Sequence, residues 1–233
     1  MPDWPRFGGA FFLCVALNAQ PRQRRGMTVY ANEIEVVQAA LHRMGEESIS
    51  SLDDNSTAAK VAQSNYEGIV RGYLTRHAWT FAKRTLPLTY QGVVDLGPWE
   101  FAYVIPTEAL NVRWVQRAGG GKLRSADYAI EGGRVLTRAD GTLQIVATTR
   151  VNESDWPADF AEAVVVRLQG LFIEALADKP QDARLKIRDA EGLMRECITR
   201  DKRQEPGAVA EFVPLVEAWR SRGRRAARAE LNG

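Results

Sequence analysis

Chemistry is most readily sought in the stretch Gln116-Arg117-Ala118-Gly119-Gly120-Gly121-Lys122-Leu123-Arg124. Backbone N–H groups in a glycine-rich turn can cradle a phosphate, and a lysine beside them adds charge. The phosphate-loop pattern G-x-x-x-x-G-K-[ST] needs a hydroxyl after the lysine, and Leu123 stands there instead. Strand-like sequence lies on both sides, so the stretch is expected to be a hairpin tip, not a strand-to-helix turn. Arg117, Lys122 and Arg124 then become a basic loop offered to a partner, or an inert solvated turn.

The other reactive residue types are sparse. His42 and His77 are the only histidines, and neither has a carboxylate or nucleophile at a suggestive spacing. Asp53-Asp54 supplies too few oxygens for a hard cation, so loop solvation and helix capping are the expected roles. Cys14 and Cys197 lie far apart with no ligand spacing, and read as reduced structural thiols in a cytoplasmic setting. The expectation is no catalytic residue, no cofactor and no metal.

A second candidate lies near the C-terminus. Phe212, Val213, Leu215, Val216 and Trp219 cluster beyond the Pro206-Gly207 break, and Arg220, Arg222, Arg224, Arg225 and Arg228 follow. An apolar cluster of this kind needs cover, and such patches mark interaction sites. It is read as a partner-binding tail, with apolar anchors buried and arginines paired with acidic groups. The alternative is a fifth helix packed back on the body.

Charge limits what those arginines can mean. The 233 residues carry 31 Lys and Arg against 29 Asp and Glu, a formal net charge of +2. A protein that grips DNA draws affinity from a basic excess, which this chain lacks overall. The near-neutral balance therefore speaks against a helical DNA-binding protein that uses the basic tail. Residues 1–26 include the apolar run Phe11-Phe12-Leu13-Cys14-Val15-Ala16-Leu17, which has the outline of a signal peptide but is too short to span a membrane. Asp3 offsets Arg6, and Met27 stands just ahead of the first clean helical pattern. Residues 1–26 are thus read as a leader or a mis-assigned start.

The elements that must position these residues follow from periodicity. Ile34, Val37, Leu41 and Met44 predict a helix over 31–44 that ends at Gly45. Ile49 and Leu52 anchor a loop, and Asn55 or Ser56 caps a second helix that carries Ala58, Ala62, Ile69 and Tyr73 and ends near His77. The short connection favours an antiparallel pair. Trp79 and Phe81 are expected to bridge helices and sheet. Leu110, Val112 and Trp114 alternate as a strand, residues 128–137 form a hairpin over Gly132-Gly133, and Asp140-Gly141 turns into a strand over 142–148. Ser154 or Asp155 caps a third helix to about Ala177, with Pro157 in its first turn and Trp156 stapling its start. Ala183, Leu185, Ile187, Ala190, Leu193, Met194, Cys197 and Ile198 mark a fourth, which ends near Arg203. The fold class expected is mainly α with a β insertion (α+β). It comprises a bundle of about four helices (27–78 and 151–203), a small antiparallel β domain (79–150) and an extended tail (204–233).

Several short stretches in this order resemble the podoviral tail tubular protein A family of head-to-tail adaptors. They are Ile34 to Met44-Gly45-Glu46, Ser48-Ile49-Ser50-Ser51-Leu52-Asp53, Ala58-Ala59 through Tyr66, and Trp79-Thr80-Phe81-Ala82. Leu110-Asn111-Val112-Arg113-Trp114-Val115, Tyr128-Ala129-Ile130-Glu131-Gly132 and Asp155-Trp156-Pro157-Ala158-Asp159-Phe160 continue the series. The resemblance covers residues 30 to 200 and implies a twelve-fold ring in the neck of a virion. That ring would bind the portal above and the tail nozzle or next tail component below, and DNA would pass through without specific binding. Apart from the resemblance, the free subunit is expected to stay monomeric until the portal presents a template, with the C-terminal tail as the switch, and no membrane partner is expected. The basic loop would then face the tail or the lumen, and the C-terminal tail would reach the portal. Alternatives are a helical DNA-binding protein or another completion protein of the same neck.

Overall fold

The computed structural model describes residues 30–204. Its first helix, α1 (Glu33–His42), starts where the Asn32 side chain accepts the Glu35 N–H, with Glu33 and Glu35 in the first turn. Carboxylates there oppose the positive end of the helix dipole. The face turned inward is Val36, Val37, Ala40 and Leu41, whereas Ile34, expected in the stripe, is half-buried. The loop that follows is anchored by buried Ile49, and Leu52 packs against the same core. Asp54 stiffens the loop by accepting the N–H groups of Ser50 and Ser51 and the Ser50 hydroxyl. The bond from the Ser51 N–H, then those from Ser50, hold its carboxyl below the usual range. Ser56 caps α2 (Thr57–Thr75) by accepting the Ala59 N–H.

Two long helices close the described chain. α3 (Ala158–Ala177) is buried around most of its circumference, from Phe160 through Val164, Leu168 and Phe172. It lies against α1, α2 and α4 (Pro180–Lys202), so the first two helices share a third as their main support. A helix apolar on nearly all sides must sit in the middle. Pro180 opens α4 at a position where a missing N–H costs nothing. Leu185, expected in the core of that helix, is 57% exposed. The expected cap of α3 also shifts. Glu153–Asp155 form a 3-10 turn, Pro157 occupies the cap position, and Trp156 stacks edge-on against Phe160 at 5.2 Å to fix the entry of the chain.

Between α2 and α3 lie seven strands: β1 (Lys83–Pro87), β2 (Thr89–Leu96), β3 (Trp99–Val104), β4 (Ala109–Arg117), β5 (Tyr128–Glu131), β6 (Arg134–Thr137) and β7 (Leu143–Thr149). They build two antiparallel sheets, β1-β7-β4 and β2-β3-β6-β5. The chain passes from one sheet to the other at Leu88, whose N–H bonds the Leu143 carbonyl. Leu88, Tyr103, Val115, Val135, Leu143 and Ile145 fill a core distinct from that of the helices. This corrects the expectation of a mainly helical chain with a small β insertion. Helix accounts for 45% and strand for 25% of the described residues, and the protein is an α+β structure with two sheets. The excess arises at β2 and β3, where exposed positions and a bulge at Gly92 obscure the period-two alternation.

Trp79, Phe81 and Phe160 all lie in the helical core, so the expected aromatic bridge to the sheet core is replaced by a cluster within the helical side of the molecule. Trp79 is buried, donates its indole N–H to the Tyr73 carbonyl, and meets Phe81 and Phe160 at 5.6 and 5.2 Å. Arg150, just past the end of β7, bonds Glu67 of α2 and Glu153, whose carboxylate also accepts the Tyr66 hydroxyl at 2.8 Å. Burial, with the Glu153 carboxylate beside it, raises the Tyr66 phenol far above its ordinary range and keeps it a donor.

Candidate functional site

The glycine-rich stretch terminates β4 in a tight return. The Arg117 N–H bonds the Gly121 carbonyl, the Gly120 N–H bonds the Arg117 carbonyl, and Gln116 and Lys122 form an antiparallel bridge. Gly120 and Gly121 take φ of +90° and +97°, a region that side chains resist, which is why glycines stand there. Leu123 then drops into the sheet core, and its N–H bonds the Val115 carbonyl. The expected hairpin tip is therefore present as a turn with a single bridge beyond it, anchored at both ends.

Register places this turn. In the first sheet, Lys83, Ala109 and Thr149 lie at the end nearest the helices, and Pro87, Arg117 and Leu143 at the other. Seven residues of β7 separate the two ends, roughly 20 Å at strand rise. The basic loop thus sits at the end of the β region remote from the helices. The turn at Asp140-Gly141 joins it there, since the Ala118 N–H bonds the Thr142 carbonyl. So does the turn between β2 and β3, through the Arg138 Nε–H donated to the Pro98 carbonyl at 2.6 Å.

At this end an open groove of about 410 Å³ is lined by Arg117, Lys122, Arg124, Arg138, Asp127 and Leu123 among others. Arg117 donates to the Asp140 carbonyl at 3.1 Å and lies 4.0 Å from its exposed carboxylate. Lys122 sits 5.3 Å from the Trp114 ring centroid, with Lys83 4.7 Å from the same ring. The structure therefore brings the three expected loop residues together and adds Arg138, which sequence reading missed. Its position in a turn fourteen residues beyond Arg124 carried no signal, because only the sheet pairing makes the two loops neighbours.

Other expected positions resolve differently. His77 meets a carboxylate after all: its Nε2 lies 3.1 Å from Asp201 Oδ2, a contact across α4 that no sequence spacing could reveal. Asp201 Oδ1 accepts the Thr80 hydroxyl at 2.6 Å, and the carboxylate also accepts the Thr80 N–H. Imidazole and hydroxyl bind different oxygens of one carboxylate, whereas a nucleophilic relay needs the imidazole between the other two groups. The arrangement fastens the segment before β1 to the end of α4. Burial pushes the Cys197 thiol up to about 12, far from a thiolate at neutral pH. His42 is exposed at the end of α1, and Gln63 donates to Asp53 at 3.1 Å.

The tail residues Phe212, Val213, Leu215, Val216, Trp219, Arg220, Arg222, Arg224, Arg225 and Arg228 lie outside the described residues, as do Cys14 and residues 1–26. Among the described residues, no group of three or more His, Cys, Asp or Glu side chains is placed to hold a metal ion. Nor, among them, is any helix long and apolar enough to cross a membrane.

One apolar surface was not foreseen. Tyr90, Val93 and Leu96 on β2 are 52%, 76% and 49% exposed, and Ile130 on β5 is 46% exposed. β2 and β5 are the two outer strands of the four-stranded sheet. The register pairs Tyr90 with Tyr103, Tyr103 with Val135, and Val135 with Ile130, which puts Tyr90 and Ile130 on one face. What fold and surface define together is an α+β protein with a basic groove at one end and apolar side chains on both edges of a sheet. The chain matches no protein-family model and no curated protein sequence.

Proposed function

We propose that this chain is a structural head-to-tail adaptor of a tailed bacteriophage, whose copies close into a ring beneath the portal and leave a passage for DNA. The observation that carries the reading is the pair of unlike sheet edges, β2 and β5, each with exposed apolar side chains. A contact between the β2 edge of one copy and the β5 edge of the next is heterologous, and repeated heterologous contacts form a ring where the rotation between copies closes. The order of elements supports it as well: helix–loop–helix, β region, then two helices, with the signature residues Trp79, Phe81, Trp156 and Phe160 in one aromatic cluster. Partner contacts follow from the ends of the body. The described body ends at residue 204, close in sequence to the Asp201 anchor, and in this reading the tail arginines would bind the portal. Weak contacts repeated around two facing rings multiply through effective concentration.

Size-exclusion chromatography with light scattering tests the reading, using the full chain alone and mixed with portal rings. The expected result is a monomer alone and a ring on the portal. Val93→Asp with Ile130→Asp should abolish the ring and leave the monomer folded. A stable ring without the portal refutes templating, and a monomer in both samples refutes the adaptor.

A further inference from the structure

The geometry points to the groove at the remote end of the β region as a binding surface for the phosphodiester backbone of DNA. Arg117, Lys122, Arg124 and Arg138 line it, and Asp127 is the one carboxylate in its wall. That concentration stands out against the body as a whole, since residues 30–204, groove included, hold 22 Lys and Arg against 24 Asp and Glu. Two of the guanidiniums are oriented by backbone carbonyls. Arg138 donates Nε–H to Pro98, which leaves its outer nitrogens directed elsewhere, and Arg117 donates to Asp140. For Arg138 the carbonyl fixes the side chain without cancelling its charge, whereas the exposed Asp140 carboxylate 4.0 Å away partly offsets that of Arg117. A planar fork held in this way suits the oxygens of a phosphate.

The choice of DNA over an acidic protein rests on what the groove lacks. A protein interface is organised around apolar anchors seated in pockets. The exposed large apolar residues Tyr90, Val93, Leu96, Val104, Ile130 and Leu185 are absent from this lining, and Leu123 is buried beneath it. Backbone recognition needs cations and carries no sequence information, which agrees with turn residues that present no base-reading helix. In the assembled ring the inference rests on the adaptor reading, because only a channel brings DNA past every copy. Binding by the isolated chain does not.

The test is fluorescence anisotropy of a short labelled duplex with the full-length chain across a salt series. Weak binding is expected at about 20 mM salt and none at about 150 mM. Contacts to two or three phosphates give a log–log slope of roughly −2 to −3. Arg117→Ser with Arg124→Ser and Arg138→Ser should lower low-salt affinity at least tenfold and leave the thermal melt unchanged. Removing equal charge at the exposed helix residues, Arg184→Ser with Arg188→Ser and Arg195→Ser, should change it less than twofold. The inference is overturned by absence of binding at low salt, or by equal losses in the two variants. It is also overturned if only the tail variant, Arg220→Ser with Arg222→Ser, Arg224→Ser and Arg225→Ser, loses binding. Polyglutamate that binds through the groove when the duplex does not would assign it to a protein. Ring formation on the portal by the groove variant is scored separately, so the adaptor reading can fail while this one stands, and the reverse.

Discussion

Trp79 is held on several sides: it is buried, its indole N–H is bonded, and the rings of His77, Phe81 and Phe160 pack against it. Trp79→Ala removes those contacts and leaves a void, so a loss of about 3–5 kcal/mol is expected in urea unfolding. Asp201→Ala strands the Thr80 hydroxyl and N–H and should cost about 1–3 kcal/mol by the same measurement. Acid sensitivity follows chiefly from Glu162 and Glu67, with the exposed Asp54 acting in the same direction. The forked bonds from Arg43 hold the Glu162 carboxyl below its usual range. Burial alone would raise Glu67, but hydrogen bonds from Arg71 and Arg150 outweigh it, and its carboxyl also sits low. In the unfolded chain both return to about 4.3, so there the unfolded state binds more protons. Stability is therefore full above that pH and declines as pH falls through the lower folded values. Calorimetric Tm between pH 7 and pH 3 checks this. Arg43→Gln should flatten part of the decline, and added salt should do the same because the pair is partly exposed.

At the scale of elements, legibility followed burial. α2, α3 and α4 were readable because apolar residues at helical spacing face a core, and the β5–β6 hairpin because Gly132-Gly133 must take positive φ. β2 and β3 were not, since β2 buries almost nothing and its Gly92 bulge breaks the alternation. The inward face of α1 slid from Ile34 to Val36 and Ala40, for several rotations of a short helix satisfy a loose stripe and only packing against α3 chooses among them. The basic groove was half legible: Arg117, Lys122 and Arg124 lie in one loop, whereas Arg138 joins them only through sheet pairing. Packing also explains Gly170, at which an added Cβ would lie 2.9 Å from an Ile187 side-chain carbon and 3.2 Å from the Ala183 carbonyl. Gly170→Val should push α4 from α3 and cost about 1–3 kcal/mol, read from the urea midpoint. An unchanged midpoint would show that the two helices can separate freely.

As a whole molecule, the protein carries its proposed interfaces at separate places. In the proposed reading the sheet edges would serve neighbouring copies and the remote groove DNA, while the tail residues, outside the described residues, would serve the portal. This separation predicts that truncation after Arg203 weakens portal binding at least tenfold and leaves the melting of the body within a few degrees, checked by pull-down and calorimetry. Full-affinity binding by the truncated chain would assign portal contact to the body instead. The central claim is that copies of this subunit close around an axis on the portal. Native mass spectrometry of portal rings saturated with the full chain tests it most directly. Twelve added subunits per portal, with no intermediate number dominant at saturation, is the predicted result. A portal mass that stays unchanged, or that gains a single copy, would contradict it.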